Sequence, residues 1–234
     1  MIQKIKTAEI ILKIFTRGHY REFRLPEWFN GPEELTKILQ EVWNRSYPDL
    51  HDRGGKDDLE EAIGELLKTL GTLNNEMTHK RYVYIAWTMA LAAEATIKHY
   101  FPDNQIFSLV EKQVLLWLEK GVEVPDNFAN TVFSDLEKIG KYQAAGEAYN
   151  ILYATLNSLE VENADEAVLD ILDDVLTGDP VSGSTDTKRD IFNWFIVEVI
   201  PAAYCLRIPD TIYSGKWKFP PLIEYYSENP ILVS

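Results

Sequence analysis

Apolar residues recur at spacings of three and four along most of this chain, the period of a helix with one buried face. Between residues 3 and 16, Ile5, Ile10, Ile11, Ile14 and Phe15 fall on one such face. The breaker Asn30–Gly31–Pro32 follows a mixed loop over 17–31, and Pro32, Glu33 and Glu34 suit a helix start. That helix carries Leu35, Ile38, Leu39, Val42 and Trp43 and stops before Pro48. HDRGGKD at 51–57 reads as a loop. From about Asp57 a third helix places Leu59, Ile63, Leu66, Leu67 and Leu70 together.

The run from Thr78 to about His99 holds alanines at 86, 90, 92, 93 and 95, so it predicts a slim helix that neighbours can approach closely, hence a central one. Ile106–Lys120 turns Phe107, Val110, Val114, Leu115 and Leu118 inward and stops at Gly121. Asp126–Ile139 and Tyr142–Leu159 form a pair around Gly140. Ala164–Leu176 ends before Gly178–Asp179–Pro180. VSGSTDT at 181–187 reads as a flexible loop, with Asp186 or Thr187 placed to cap a last helix over Lys188–Leu206. The tail from Pro209 to Ser234 combines Pro209, Pro220, Pro221 and Pro230 with Tyr213, Trp217, Phe219, Tyr225 and Tyr226, which predicts an extended segment lying over the helices. Strand-like alternation is confined to short stretches such as Tyr20–Leu25 and the tail. The expectation is an all-α protein of about eight to ten helices in an array or bundle, a single domain over 1–234.

Composition agrees. The 234 residues are 46% apolar and 26% charged, with six tryptophans, which suits a large soluble core. Trp87 and Trp117 are expected to be mostly buried. The only cysteine, Cys205, excludes an internal disulfide, fits a reducing cytoplasm, and reads as an inert buried thiol. Lysines 4, 6 and 13 interrupt any secretion signal at the N-terminus. The longest apolar stretch, 191–206, is broken by Glu198 and Pro201 and is too short to span a bilayer.

Charge changes the picture more. The net charge is −14, yet residues 1–25 carry six basic against two acidic side chains. Residues 157–190 hold ten acidic side chains against Lys188 and Arg189. Such a field repels nucleic-acid phosphates and attracts a basic partner. On the helix at 164–176, Ala164, Ala167, Val168, Ile171, Leu172 and Val175 form an inward stripe. Asp165, Glu166, Asp170, Asp173 and Asp174 are left mostly outward as a candidate docking surface for a basic protein. An acidic face that serves only solvation accounts for the same pattern.

Local motifs for chemistry are sparse. Glu76-Met77-Thr78-His79 is a single Glu-x-x-His at a helix entry, where a di-iron bundle needs two in mid-helix. His-Glu-x-x-His, paired Cys-x-x-Cys, calcium-loop, Gly-x-Ser-x-Gly and Walker patterns are absent, so no metal or cofactor is expected. His19, His51, His79 and His99 sit in four different segments. His99 suits the negative end of its helix dipole. Glu198, a carboxylate in an apolar run, calls for a charged partner or marks a polar site. A helical enzyme with a dispersed site around Glu198 or His99 is therefore the alternative to a non-enzymatic binding module.

One stretch carries a family likeness. In AWTMALAAEATIKHYFPDNQIFSLVEKQVLLWLEKG, Ala86 to Gly121, an alanine-rich helix meets an aromatic-Pro-Asp turn and then an amphipathic helix with Trp117 shortly before Gly121. This resembles the helical immunity proteins of bacterial polymorphic toxin systems. It departs from them after the turn, where residues 104–110 read NQIFSLV in place of arginines. The resemblance implies an all-helical protein that binds and blocks a toxin, and it carries over no catalytic residue.

Overall fold

The computed structural model describes residues 20–134, 143–177 and 185–213. The helix expected at 3–16, residues 135–142 and the tail beyond Tyr213 lie outside the described residues. Among the described residues every regular element is a helix and no strand forms. Tyr20–Leu25 is irregular, with no strand among the described residues to complete a ladder.

Helix α1, Glu33–Asn44, buries Leu35, Leu39, Val42 and Trp43, and Glu33 and Glu34 lie at the positive end of its dipole. A single 3-10 turn at Pro48–Leu50 follows. Helix α2, Leu59–Thr69, starts at Asp58, whose carboxylate accepts from the Glu61 amide at 2.9 Å. It ends at Gly71, whose φ of +118° brings the backbone against Thr78; a β-carbon there would meet Thr78 Oγ1 at 2.4 Å.

Helix α3, Glu76–Tyr100, is capped by Asn75, whose side chain accepts from the amides of Met77 and Thr78. It is the central element, packed against α4 (Ile106–Lys120), α6 (Gln143–Asn157), α7 (Ala164–Thr177) and α9 (Ile200–Tyr204). The alanine pattern explains this. Ala86, Ala90, Ala92 and Ala93 are buried, and the Thr155 hydroxyl of α6 approaches close enough to donate to the Ala86 carbonyl at 3.2 Å.

Helix α4 begins and ends where its sequence signals stand. Asn104 accepts from the Ile106 amide at 2.7 Å, and Gly121 closes the helix in the left-handed conformation with φ +63°. Buried Gln113 then donates to the carbonyls of Val122 and Glu123, fixing the chain that leaves. Helix α5 is only Phe128–Val132.

The last long helix differs from expectation. It starts at Thr185, so Asp186 and Thr187 lie inside its first turn and not at its cap. It runs as α8 (Thr185–Trp194), a π-helical turn over Phe195–Val199, and α9, with α10 at Asp210–Tyr213 beyond. Pro201 explains the wide turn. Its ring would clash with the Val197 carbonyl four residues back in a regular α-helix, and it has no N–H to donate there.

Two arginines lock helix ends together. Arg189 of α8 donates to the carbonyls of Trp43 and Arg45 at the end of α1 and to Asp52 at 2.8 Å. Its guanidinium also faces the rings of Tyr47 and Phe192. Arg81 of α3 donates to the carbonyls of Leu70 and Tyr204 and stacks 3.8 Å from the Tyr204 ring centroid. Both put positive charge where helix dipoles are negative.

One expectation about burial needs correcting. Trp87 is buried and Trp117 is mostly buried, its indole meeting His79 edge-on at 4.8 Å. Cys205, expected as a buried thiol, is half-buried just beyond the end of α9.

Candidate functional site

Helix α7 does what its pattern predicts on its inner face. Ala164, Ala167, Val168, Ile171, Leu172, Val175 and Leu176 are all buried. Its outer face is less uniform than the sequence suggests. Asp165, Glu166, Asp170 and Asp173 are exposed, but Asp165 accepts a hydrogen bond from the Tyr82 hydroxyl of α3. Asp174 is half-buried between α7 and α6, the one member of the mostly outward set that is not exposed. Burial raises its pKa from 3.8 to about 6, against a stabilising hydrogen bond from Asn150, and the charges of Asp173 and Asp170 add to the rise.

Asp170 and Asp173 form a ridge with a groove on either side. The first groove, about 510 Å³, lies between α7 and the start of α2, and the two ridge residues face Asp49, Asp58 and Glu60 across it. Its floor is apolar, made by Leu59, Ile63, Leu169, Leu172 and Leu176, and among the described residues neither lysine nor arginine lines it. The second groove, about 330 Å³, lies between α7 and α6, with Asn150, Asn157 and the 45% exposed Tyr153 opposite the acids. Asp49, Asp58 and Glu60 were not legible as partners of α7. They stand more than a hundred residues earlier, and only the packing of the 3-10 turn and α2 against α7 brings them in.

The arrangement offers a run of carboxylates over an apolar floor along a helix of 14 residues, about 21 Å long. The acids do not fall evenly on the dipole. Asp165 and Glu166 sit in the first turn, where it favours them, whereas Asp173 and Asp174 approach the negative end, where it does not. A cation laid along the ridge would relieve that repulsion.

The second polar constellation surrounds Glu198. The π-turn aims its carboxylate toward the chain at residue 20 and toward α10. The Tyr20 hydroxyl donates to Oε1 at 2.9 Å, and the Thr211 hydroxyl donates to Oε2. Thr211 accepts in turn from the Trp194 indole at 3.2 Å. Burial, and then the Glu198 charge, push the Tyr20 phenol far above its ordinary pKa, so it stays a donor. The charged partner expected for Glu198 is not found among the described residues; two neutral hydroxyls take its place.

The histidine candidates resolve differently. Glu76 is exposed and pairs with Lys80 at 2.6 Å, while buried His79 donates from Nε2 to the Ser158 carbonyl at 2.8 Å. Glu-x-x-His here is a helix start, and its two side chains do not converge. The side chain of His99 and all of His19 lie outside the described residues. Among the described residues, no group of three or more His, Cys, Asp or Glu side chains could hold a metal ion, and no helix is long and apolar enough to cross a membrane.

Comparison with known proteins finds no matching family model, no matching curated protein and no matching solved structure.

Proposed function

We propose that this protein is a binding module that seats a basic amphipathic segment of a protein partner along α7. The observation that carries this reading is the first groove, where Asp170 and Asp173 face Asp49, Asp58 and Glu60 over a leucine-rich floor. A partner helix with lysine or arginine on one edge and leucine-like side chains on the other matches both features. The likeness of Ala86–Gly121 to immunity proteins makes a basic toxin domain the partner of choice.

The alternative reading, a helical enzyme, draws on the Glu198 cavity. There the Glu198 carboxylate is held by two hydroxyls that tie residue 20 to α10, and no histidine, lysine or cysteine lines the cavity among the described residues. The binding reading is therefore favoured.

The variant D170N/D173N tests the proposal. It leaves Asp58, which caps α2, and Asp165, which holds Tyr82, in place. A Leu/Lys amphipathic helical peptide serves as probe, with a Leu/Ser peptide of the same pattern as control, and binding is followed by NMR chemical-shift mapping. Exposed ion pairs contribute about 0.2–1 kcal/mol each, so losing two should weaken binding roughly 2- to 30-fold. The native protein should show shifts along α2 and α7 that fade with salt, over a screening length of about 10 Å at 0.1 M. Equal affinity for both proteins, or shifts elsewhere, would discard the proposal. The immunity role adds a stricter demand. A toxic reading frame beside the gene should be suppressed by the native chain and not by D170N/D173N.

A further inference from the structure

We propose that the cavity beside Glu198 binds a small organic cation through a primary ammonium group. The cavity has a volume of about 560 Å³ and shares no residue with the acidic grooves. Its walls come from three places: the chain at 20–28, the π-turn, and the start of α10.

Among the described residues that line it, with Arg207 counted, the charges balance except for one. Arg24 pairs with Glu27 at 3.5 Å. Asp210 pairs at 2.9 Å with Arg207, whose guanidinium lies 4.2 Å from the Trp28 ring centroid. Arg21 and Glu22, both exposed, offset each other. Glu198 is left, a half-buried carboxylate inside an otherwise apolar π-turn, whose hydrogen-bond partners are two hydroxyls. A carboxylate offers about four acceptor positions, and two are filled. Neutral donors compensate a desolvated charge poorly compared with a cation. The adjoining cavity supplies room for that cation, and the donors at Oε1 and Oε2 fix the carboxylate to receive it.

A purely architectural reading has the network Trp194–Thr211–Glu198–Tyr20 stitch residue 20 to α10. A glutamine would serve that purpose, since its amide accepts from one hydroxyl and donates to the other. Charge at this position is explained by a charged ligand. The stretch FIVEVIP joins the two halves of the device, because the proline that forces the π-turn stands three residues after the glutamate it presents.

The test uses the full chain with n-butylammonium as probe and n-butanol as its neutral isostere, read by two-dimensional NMR at neutral pH. Saturable shifts at Glu198, Thr211 and the Trp28 indole are expected with the ammonium and not with the alcohol. E198Q should lower ammonium affinity at least about tenfold, roughly 1.4 kcal/mol, while its thermal midpoint stays within a few degrees. Should E198Q fail to fold, the native protein still decides, since ammonium binding must weaken as sodium chloride is raised. Absence of saturable shifts at the cavity, or equal binding of the alcohol and the ammonium, would overturn the proposal.

Discussion

Replacing Arg189 by methionine should be among the most damaging single changes at a partly exposed position. The side chain is 21% exposed, as is that of Asp52, and it donates three hydrogen bonds: to the Trp43 carbonyl, to the Arg45 carbonyl at 3.1 Å and to Asp52 at 2.8 Å. Hydrogen bonds involving a charged group contribute about 1.5–3 kcal/mol each. Three of them would total about 4.5–9 kcal/mol if none were replaced. Water reaches the site, and Asp52 keeps its bond from the Tyr47 amide at 2.9 Å, so roughly half is retained. Methionine also preserves most of the apolar stem packed near Tyr47 and Phe192. The expected loss is therefore about 2–4 kcal/mol. For a chain of this size that corresponds to a fall of roughly 4–16 °C in the thermal midpoint.

Urea titration followed by tryptophan fluorescence measures the loss directly, with Trp43 and Trp194 as nearby reporters. R189K should recover only part of it, because an ammonium cannot direct donors to three fixed acceptors as a guanidinium fork does. D52N should cost less than R189M, since it removes one of the three bonds' charge and leaves both carbonyls satisfied. A loss below about 0.5 kcal/mol for R189M would refute the idea that Arg189 ties α8 to the end of α1. So would full rescue by lysine.

Two further outcomes follow from burial. Trp117→Ala should cost about 1.5–3 kcal/mol, below the 3–5 kcal/mol of a fully buried aromatic, because its indole is mostly but not fully buried against His79; an unchanged urea midpoint would show that the contact contributes nothing. Asp174 has its folded-state pKa raised from 3.8 to about 6, so the folded protein holds more protons than the unfolded chain between those values, and stability falls as pH rises through that window. Asp174→Asn should flatten this slope and stabilise the protein by roughly 1–3 kcal/mol above pH 7, with no gain near pH 4; parallel stability curves for the two proteins would disprove the shift.

Much of the helical layout could be read from residues alone, because it is set by local chemistry. Ile106–Lys120 appears with the boundaries its turn residues and Gly121 imply, and the buried stripe of α7 lies where spacings of three and four put it. The alanine-rich helix is central because small side chains admit close neighbours, a property of the segment itself. Periodicity reports which face is covered and is silent on what covers it. Hence Cys205 looked like a core residue in its apolar run and proved half-buried, and Asp174, one of a mostly outward acidic set, proved half-buried beside α6. Glu198 was recognisable as anomalous, but its hydroxyl partners stand 178 residues before it and 13 after, and only the fold selects them. The grooves beside α7 have the same origin. Asp49, Asp58 and Glu60 carry no local mark that distinguishes them from solvated acids, and they join Asp170 and Asp173 only when two distant stretches pack together. The charge of a residue is written in the sequence, whereas its company depends on three-dimensional proximity that no short-range pattern encodes.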